Sequence, residues 1–541
     1  MLDKVSNLDQ INNGHNDIDR ADHTITGAQS LLRTLLDCGV DVCFANPGTS
    51  EMHFVDALDS VDGMRCILGL FEGVVTGAAD GYARMLDRPA ATLLHLGPGL
   101  ANGLSNLHNA GRAQSPIVNV IGDHATYHRS FDAPLTSDIE GAARPFSSWV
   151  RTSPNAESVA TDTAVAVAAA TSAPGRVASL ILPANTAWST VDSSTPTPRA
   201  HPNPPARPSD SVIESAAAIL REGGSTALVL GGRATREAPL ALAGKIAAAT
   251  GADLLAQTHN PRISRGAGRV EVTRIPYPIA ESVALLEKYD NLILVGAKAP
   301  IAFFAYPDRP STLYPPSARI HELVRVDQDI TYALDHLVDT LGAGSLGAAV
   351  ADYGPPDMPS DGPLTGRTIG AVVSAMLPEE AIVVDESLTT GGSFFDDLRH
   401  SAPHDVLLST GGSIGFAMPN AIGAAVACPD RKVIALESDG SGLYMPQALW
   451  TMARENLDIT VLVFANNRYR ILDNEMFNVG AHGAGPVAST LFDLTRPTID
   501  WVSLAEGFGV AAVRTETVAE LGDALRTAFA HSGPMVIQIP L

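Results

Sequence analysis

Apolar residues in this chain gather in short unbroken runs. "VCFAN", "CILGL", "ATLLHL" and "PIVNVIG" fall between residues 24 and 191, and "AIVVDES", "DVLLS", "VIALE", "ITVLVFAN" and "PMVIQIP" between 364 and 541. Runs of this length without polar alternation read as strands buried on both faces, the habit of parallel sheets. Stretches of helical pattern, such as Gly73 to Met85, separate them. The middle of the chain repeats the style with "TALVLGG", "DLLAQ" and "NLILVGA". Strands alternating with helices predict α/β domains on parallel sheets.

Two Pro-rich stretches punctuate this pattern: "DSSTPTPRAHPNPPARPSD", Asp192 to Asp210, and "DYGPPDMPSDGP", Asp352 to Pro363. Neither can continue a helix or a central strand, so both read as linkers. The predicted organisation is a polar, disordered extension over 1–23, α/β domains over 24–191, 211–351 and 364–541, and linkers over 192–210 and 352–363. A chain of 541 residues suits about three domains.

Chemistry is densest in "VIALESDGSGLYMPQALWTMARENLDITVLVFANNRYRIL". Val433–Leu436 and Ile459–Phe464 read as parallel strands. Between them, Leu443, Met445, Leu449, Met452 and Ala453 recur at helical spacing, with Pro446 in the first turn. Asp439 and Asn466 would then emerge together at the carboxyl edge of a sheet, where open α/β folds bind ligands. An anionic and a neutral oxygen ligand suit Mg²⁺, and Gly440 and Ser441 at a helix start suit a phosphate. Taken separately, Asp-Gly and Asn-Asn are ordinary turn and loop dipeptides. Together, at this spacing, they read as a cradle for a metal-bound diphosphate.

These residues resemble the thiamine diphosphate enzymes, whose motif is Gly-Asp-Gly followed by an Asn pair about one βαβ unit later; Ser438 stands here for the first Gly. The resemblance implies Asp439, Asn466 and the backbone carbonyl of Arg468 as Mg²⁺ ligands. The domain order resembles the decarboxylase-type arrangement: pyrimidine-binding, middle and diphosphate-binding. Glu72, opening a helix after "CILGLF", matches the family's glutamate, which favours the imino tautomer of the aminopyrimidine. "STGGSIGFAMPNAIGAA" resembles the stretch beneath the cofactor, with the Gly412 carbonyl receiving the aminopyrimidine and Ile414 bending the two rings together. The family's site lies between two chains, which implies a homodimer or homotetramer.

"FANPGTSEMHF" and "LLHLGPGLANGL" resemble loops of benzoylformate decarboxylase, and place Thr49 and His95 over the reacting carbon. A histidine there suits proton relay near neutral pH. The Phe-Gln and Trp-containing patterns of acetolactate synthases are missing, as are that family's flavin-contacting sequences, which argues against FAD. No second catalytic histidine stands out in "KAPIAFFAYPDRP", and the end at "VIQIPL" argues against enzymes closed by a C-terminal lid. His124 and His128 line a mouth or satisfy a loop.

The expected activity is decarboxylation of a 2-oxo acid, with protonation or carboligation following. The alternatives are a thiamine diphosphate-dependent C–C lyase acting on another substrate and a catalytically silent homologue. An NAD site at Gly97, Gly99 and Gly103 and a zinc site at His124 and His128 are weaker readings.

Composition narrows the setting. A formal charge of −23 argues against a nucleic-acid or anionic-membrane partner. Cys38, Cys43, Cys66 and Cys428 form no CxxC pair and read as free thiols. With no apolar run of membrane-spanning length and no signal-peptide core, a cytoplasmic protein is expected.

Overall fold

The computed structural model describes residues 24–193, 199–481 and 483–541. The extension expected at 1–23 and part of the first Pro-rich stretch, 194–198, lie outside the described residues.

Three largely parallel sheets carry the fold. The first orders its strands Arg65–Leu68, Val42–Asn46, Ala90–Leu94, Ile117–Asp123, Val177–Pro183 and Trp149–Thr152. Its three strands Ala90–Leu94, Ile117–Asp123 and Val177–Pro183 are buried along their whole length, which is why they lack polar alternation. The second orders Thr273–Arg274, Asp253–Ala256, Thr226–Leu230, Asn291–Val295 and Arg319–Val324. The third orders Ile263–Arg265, His404–Leu408, Ala381–Glu386, Val433–Ser438, Ile459–Ala465, Met535–Pro540 and Ala511–Arg514.

Ile263–Arg265 comes from the stretch expected to form the middle domain, yet it pairs antiparallel with the third sheet at His404–Leu408. Polar anchors explain the crossing. Arg262 donates to Asp405 through Nε and Nη2, each at 2.9 Å, and Ser264 and Arg431 donate to the same carboxylate at 2.9 and 2.8 Å. Burial alone would raise the Asp405 carboxyl, but the two guanidiniums hold it well below its ordinary range.

The first and third domains share a core in which Val74 and Ala78 join Met418 and Ile422. Helix Glu72–Leu86 crosses helix Ala417–Ala427 at backbone contact. A Cβ on Gly423 would lie 1.9 Å from the Ala78 carbonyl oxygen, and one on Gly81 would lie 2.1 Å from that of Asn420.

The helix expected from Leu443 to Ala453 is split. One turn, Asp439–Gly442, precedes a second helix, Ala448–Arg454. Pro446 has no N–H to give the preceding turn, so a new helix starts after it. Met445 in the break packs towards the first domain, its Sδ 3.2 Å from Asn106 Nδ2. No helix among the described residues is long and apolar enough to cross a membrane.

Candidate active site

Strands Val433–Ser438 and Ile459–Ala465 run in parallel register, with Ser438 opposite Phe464, so Asp439 and Asn466 leave the same sheet edge. Asp439 Oδ2 accepts the Asn467 N–H at 2.6 Å and Oδ1 accepts that of Gly440 at 2.9 Å. Asn467 holds φ +56, which turns the chain back over the aspartate. Asn466 Oδ1 accepts the Arg468 N–H at 2.9 Å, and the Arg468 carbonyl accepts that of Arg470 at 2.8 Å. The Asp439 carboxyl is 2% exposed, and burial pushes it up to about 6.

Among the described residues no cationic side chain pairs with Asp439 and no cluster of three His, Cys, Asp or Glu could hold a metal. A desolvated carboxyl beside amide and carbonyl oxygens fits a hard divalent cation. Gly440 is pressed against Tyr469, whose Cε1 would lie 2.4 Å from a Cβ there. The Ser441 hydroxyl turns inward and donates to Glu437.

Beneath this edge, Glu386 and Glu437 are register partners on adjacent strands, 3% and 0% exposed. Glu386 accepts the backbone N–H groups of Gly415, Phe416 and Ala417 at 2.8–2.9 Å. Burial pushes its carboxyl up to about 8, and burial with the Glu386 charge holds Glu437 well above its ordinary value. On the other side of the same loop, Asn109 exchanges bonds with Ser413 and His108 Nε2 meets the Gly411 carbonyl at 3.1 Å. The segment carrying Gly412 and half-buried Ile414 is therefore clamped from two domains.

Glu72 opens its helix after strand Arg65–Leu68. Its carboxyl is 7% exposed and Oε2 accepts from Asn102 Nδ2 at 3.0 Å. A Cβ on Gly99 would come within 3.1 Å of Oε1, so the Gly-Pro-Gly turn makes room for the acid. Glu72 and Asp439 stand on different sheets, and their hydrogen bonds stay within their own domains.

His95 ends strand Ala90–Leu94 and caps the helix Leu96–Ala113, with Leu96 at φ +46. Its Nδ1 lies 2.7 Å from Glu51 Oε2 and 3.3 Å from Ser50 Oγ. A Cβ on Gly48 would sit 2.2 Å from Nδ1, so the glycine leaves the imidazole room for this pairing. Thr49, the residue singled out from the sequence, is exposed at the start of the same short 3-10 turn.

Family models match at both ends of the chain: the N-terminal TPP binding domain of thiamine pyrophosphate enzymes over residues 25–143, and the C-terminal TPP binding domain over 393–539. IlvX of Mycobacterium tuberculosis, named as a candidate acetolactate synthase large subunit, is 49% identical over 516 residues, covering 95% of this chain and 99% of its own. The chain belongs to the thiamine pyrophosphate enzymes. It is related to benzoylformate decarboxylase of Pseudomonas aeruginosa, 28% identical over 93% of this chain and 96% of that protein. In fold it matches a Rhodococcus jostii RHA1 4-hydroxybenzoylformate decarboxylase with a TM-score of 0.82 at 24% identity, covering 95% of this chain and 98% of that one.

Several polar residues of this thiamine pyrophosphate enzyme escaped the sequence reading. Glu51 is the fourth residue of "GTSE", a capping pattern that signals a helix start and hides a histidine partner. Glu386 and Glu437 end apolar strands and carry no local signal of facing each other. His124 and His128 lie 5.5 Å apart between ring centroids, beside Phe131 and the Asp123–Arg129 ion pair.

Proposed function

We propose that this enzyme decarboxylates a 2-oxo acid and protonates the product to an aldehyde, with Mg²⁺ holding the cofactor's diphosphate. The observation that carries the reading is the buried Asp439 carboxyl, bonded to the Asn466–Asn467 turn and with no cationic partner among the described residues. Thiamine diphosphate, when bound, supplies a nucleophilic carbon and an electron sink for the departing CO₂.

The chain's own groups take the other tasks. Asp439, Asn466 and the Arg468 carbonyl would hold Mg²⁺, and with the Gly440 N–H taken by Asp439, the Ser441 N–H is the one turned to the phosphates. The Gly412 carbonyl and Ile414 seat the rings on the clamped loop. Glu72, kept nearly dry, holds the proton at the aminopyrimidine. His95, oriented through Nδ1 by Glu51, delivers the product proton from Nε2. That dyad favours aldehyde over carboligation. Thr49 contacts the substrate carboxylate. As the family resemblance implies, a second copy completes each site, in a dimer or tetramer.

The test is CO₂ release from a panel of aliphatic and aromatic 2-oxo acids with thiamine diphosphate and Mg²⁺, recording aldehyde and 2-hydroxy ketone together. Aldehyde from one class of acid is expected. Cofactor bound tightly with no CO₂ from any acid removes the reading.

A further inference from the structure

The loop 299–306 reaches from the second sheet's domain to the Gly412 turn of the third. Gly412 holds φ +76, and a Cβ there would lie 2.7 Å from Phe303 Cζ, so the ring rests on the backbone proposed to seat the aminopyrimidine. Phe303 is also the hub of a chain of rings. Its centroid lies 5.2 Å from His259, 5.7 Å from Tyr277 and 4.8 Å from Phe304.

The chain of rings is anchored at both ends. His259 Nδ1 donates to the Ser409 carbonyl at 2.9 Å, since a carbonyl can only accept. Tyr306 donates to Glu475 Oε2 at 2.6 Å, tying the loop to helix Arg470–Asn478, which follows the Asn466–Asn467 turn. Even so, Phe303 and Phe304 remain 43% and 52% exposed. Rings held at their inner edges with open faces suit contact with another ring in edge or offset geometry.

We propose that Phe303 and Phe304 form the wall of the substrate's side-chain pocket and select a 2-oxo acid with an aromatic side chain over one with a methyl. The proposal rests on the decarboxylase reading above and adds the substrate class. Position argues for it: the wall is continuous with the seat loop through Gly412 and with the metal turn through Tyr306 and Glu475. Chemistry argues for it too, because the carboxylate that anchors the loop, Glu475, is engaged by the Tyr306 hydroxyl and the Asn478 amide. A methyl group would leave both faces wet.

The experiment compares kcat/KM for benzoylformate and pyruvate in the holoenzyme with Mg²⁺, for the parent, Phe303→Ala, Phe303→Leu and Phe304→Ala, each checked for an unchanged melting temperature. The parent should prefer the aromatic acid by about 100-fold, and Phe303→Ala should cut that ratio about tenfold, mainly through KM, with Leu intermediate. A parent preference for pyruvate, or a ratio the variants do not move, overturns the proposal. So does a change of oligomeric state in Phe303→Ala or Phe304→Ala, which would make the rings a subunit contact. If no acid is turned over, calorimetric binding of mandelate separates the two readings. Binding that Phe303→Ala weakens about tenfold keeps the pocket and removes only the decarboxylase reading, while no binding overturns the pocket as well.

Discussion

His95 Nδ1 lies 2.7 Å from Oε2 of Glu51, a carboxylate 3% exposed that also takes the Gly48 N–H and the Ser50 hydroxyl. A ring nitrogen facing a carboxylate carries the proton, which leaves Nε2 as the working atom. Glu51→Gln should lower kcat about 10–100-fold with cofactor affinity retained. His95→Ala should lose about 10²–10⁴-fold, and the double variant no more than His95→Ala alone. Losses that add in steady-state assays would mean the two residues act separately.

Glu72→Gln keeps the shape of the helix start and the bond from Asn102. It should bind thiamine diphosphate normally yet slow exchange of the cofactor's C2 proton by about 10²–10⁴-fold, read by quenched-flow NMR. Unchanged exchange would strip Glu72 of its assigned role.

Asp439→Ala removes the charged oxygen from the cradle and leaves the strand intact. Thiamine diphosphate binding to the parent should require Mg²⁺, and in the variant Mg²⁺ should no longer improve it. Equal binding by the parent with and without Mg²⁺ contradicts the metal site.

Acid should weaken the join of the second and third domains. Burial, helped by Arg265, holds the His404 imidazole down to about 4, against ~6.5 in an unfolded chain. The unfolded state therefore binds its proton first, and stability falls as pH drops from ~6.5 towards about 4. Asp405, held low by Arg262 and Arg431, contributes stability that is lost only as pH falls further, below the ordinary carboxylate range. Urea midpoints measured from about pH 7.5 to about 4 should decline across the His404 window, and Asp405→Asn should be less stable than the parent at neutral pH.

Gly423→Ala places a methyl on the Ala78 carbonyl, where the contact is backbone and cannot swing aside. A loss of about 1–3 kcal/mol or more is expected from thermal or urea unfolding. Gly251→Ala meets no atom within 4 Å, but its φ of +76 makes it a test of backbone strain alone.

The strands of the first and third sheets were legible because a buried parallel strand must be apolar at every position, and that signature is local. The Asp439 and Asn466 pairing was legible for a similar reason: one βαβ unit fixes both ends on the same edge. The split at Pro446 was half visible, since periodicity ran through it while the proline argued for a start. The edge strand Ile263–Arg265 was invisible, because its partner lies about 140 residues away in sequence and nothing in "RISRG" names Asp405.

The sequence by itself determined the α/β class and the placing of the candidate diphosphate motif and the candidate acid Glu72, since each depends on spacing within one or two adjoining elements. Only the tertiary structure decided that Glu51 orients His95, that Glu386 and the Asn109 amide clamp the Gly412 loop, and that Phe303 lies on it. Those relations join loops from different strands or domains, which no local spacing fixes; the reach of Asn109 to the Gly412 loop goes with the backbone contact of helices Glu72–Leu86 and Ala417–Ala427.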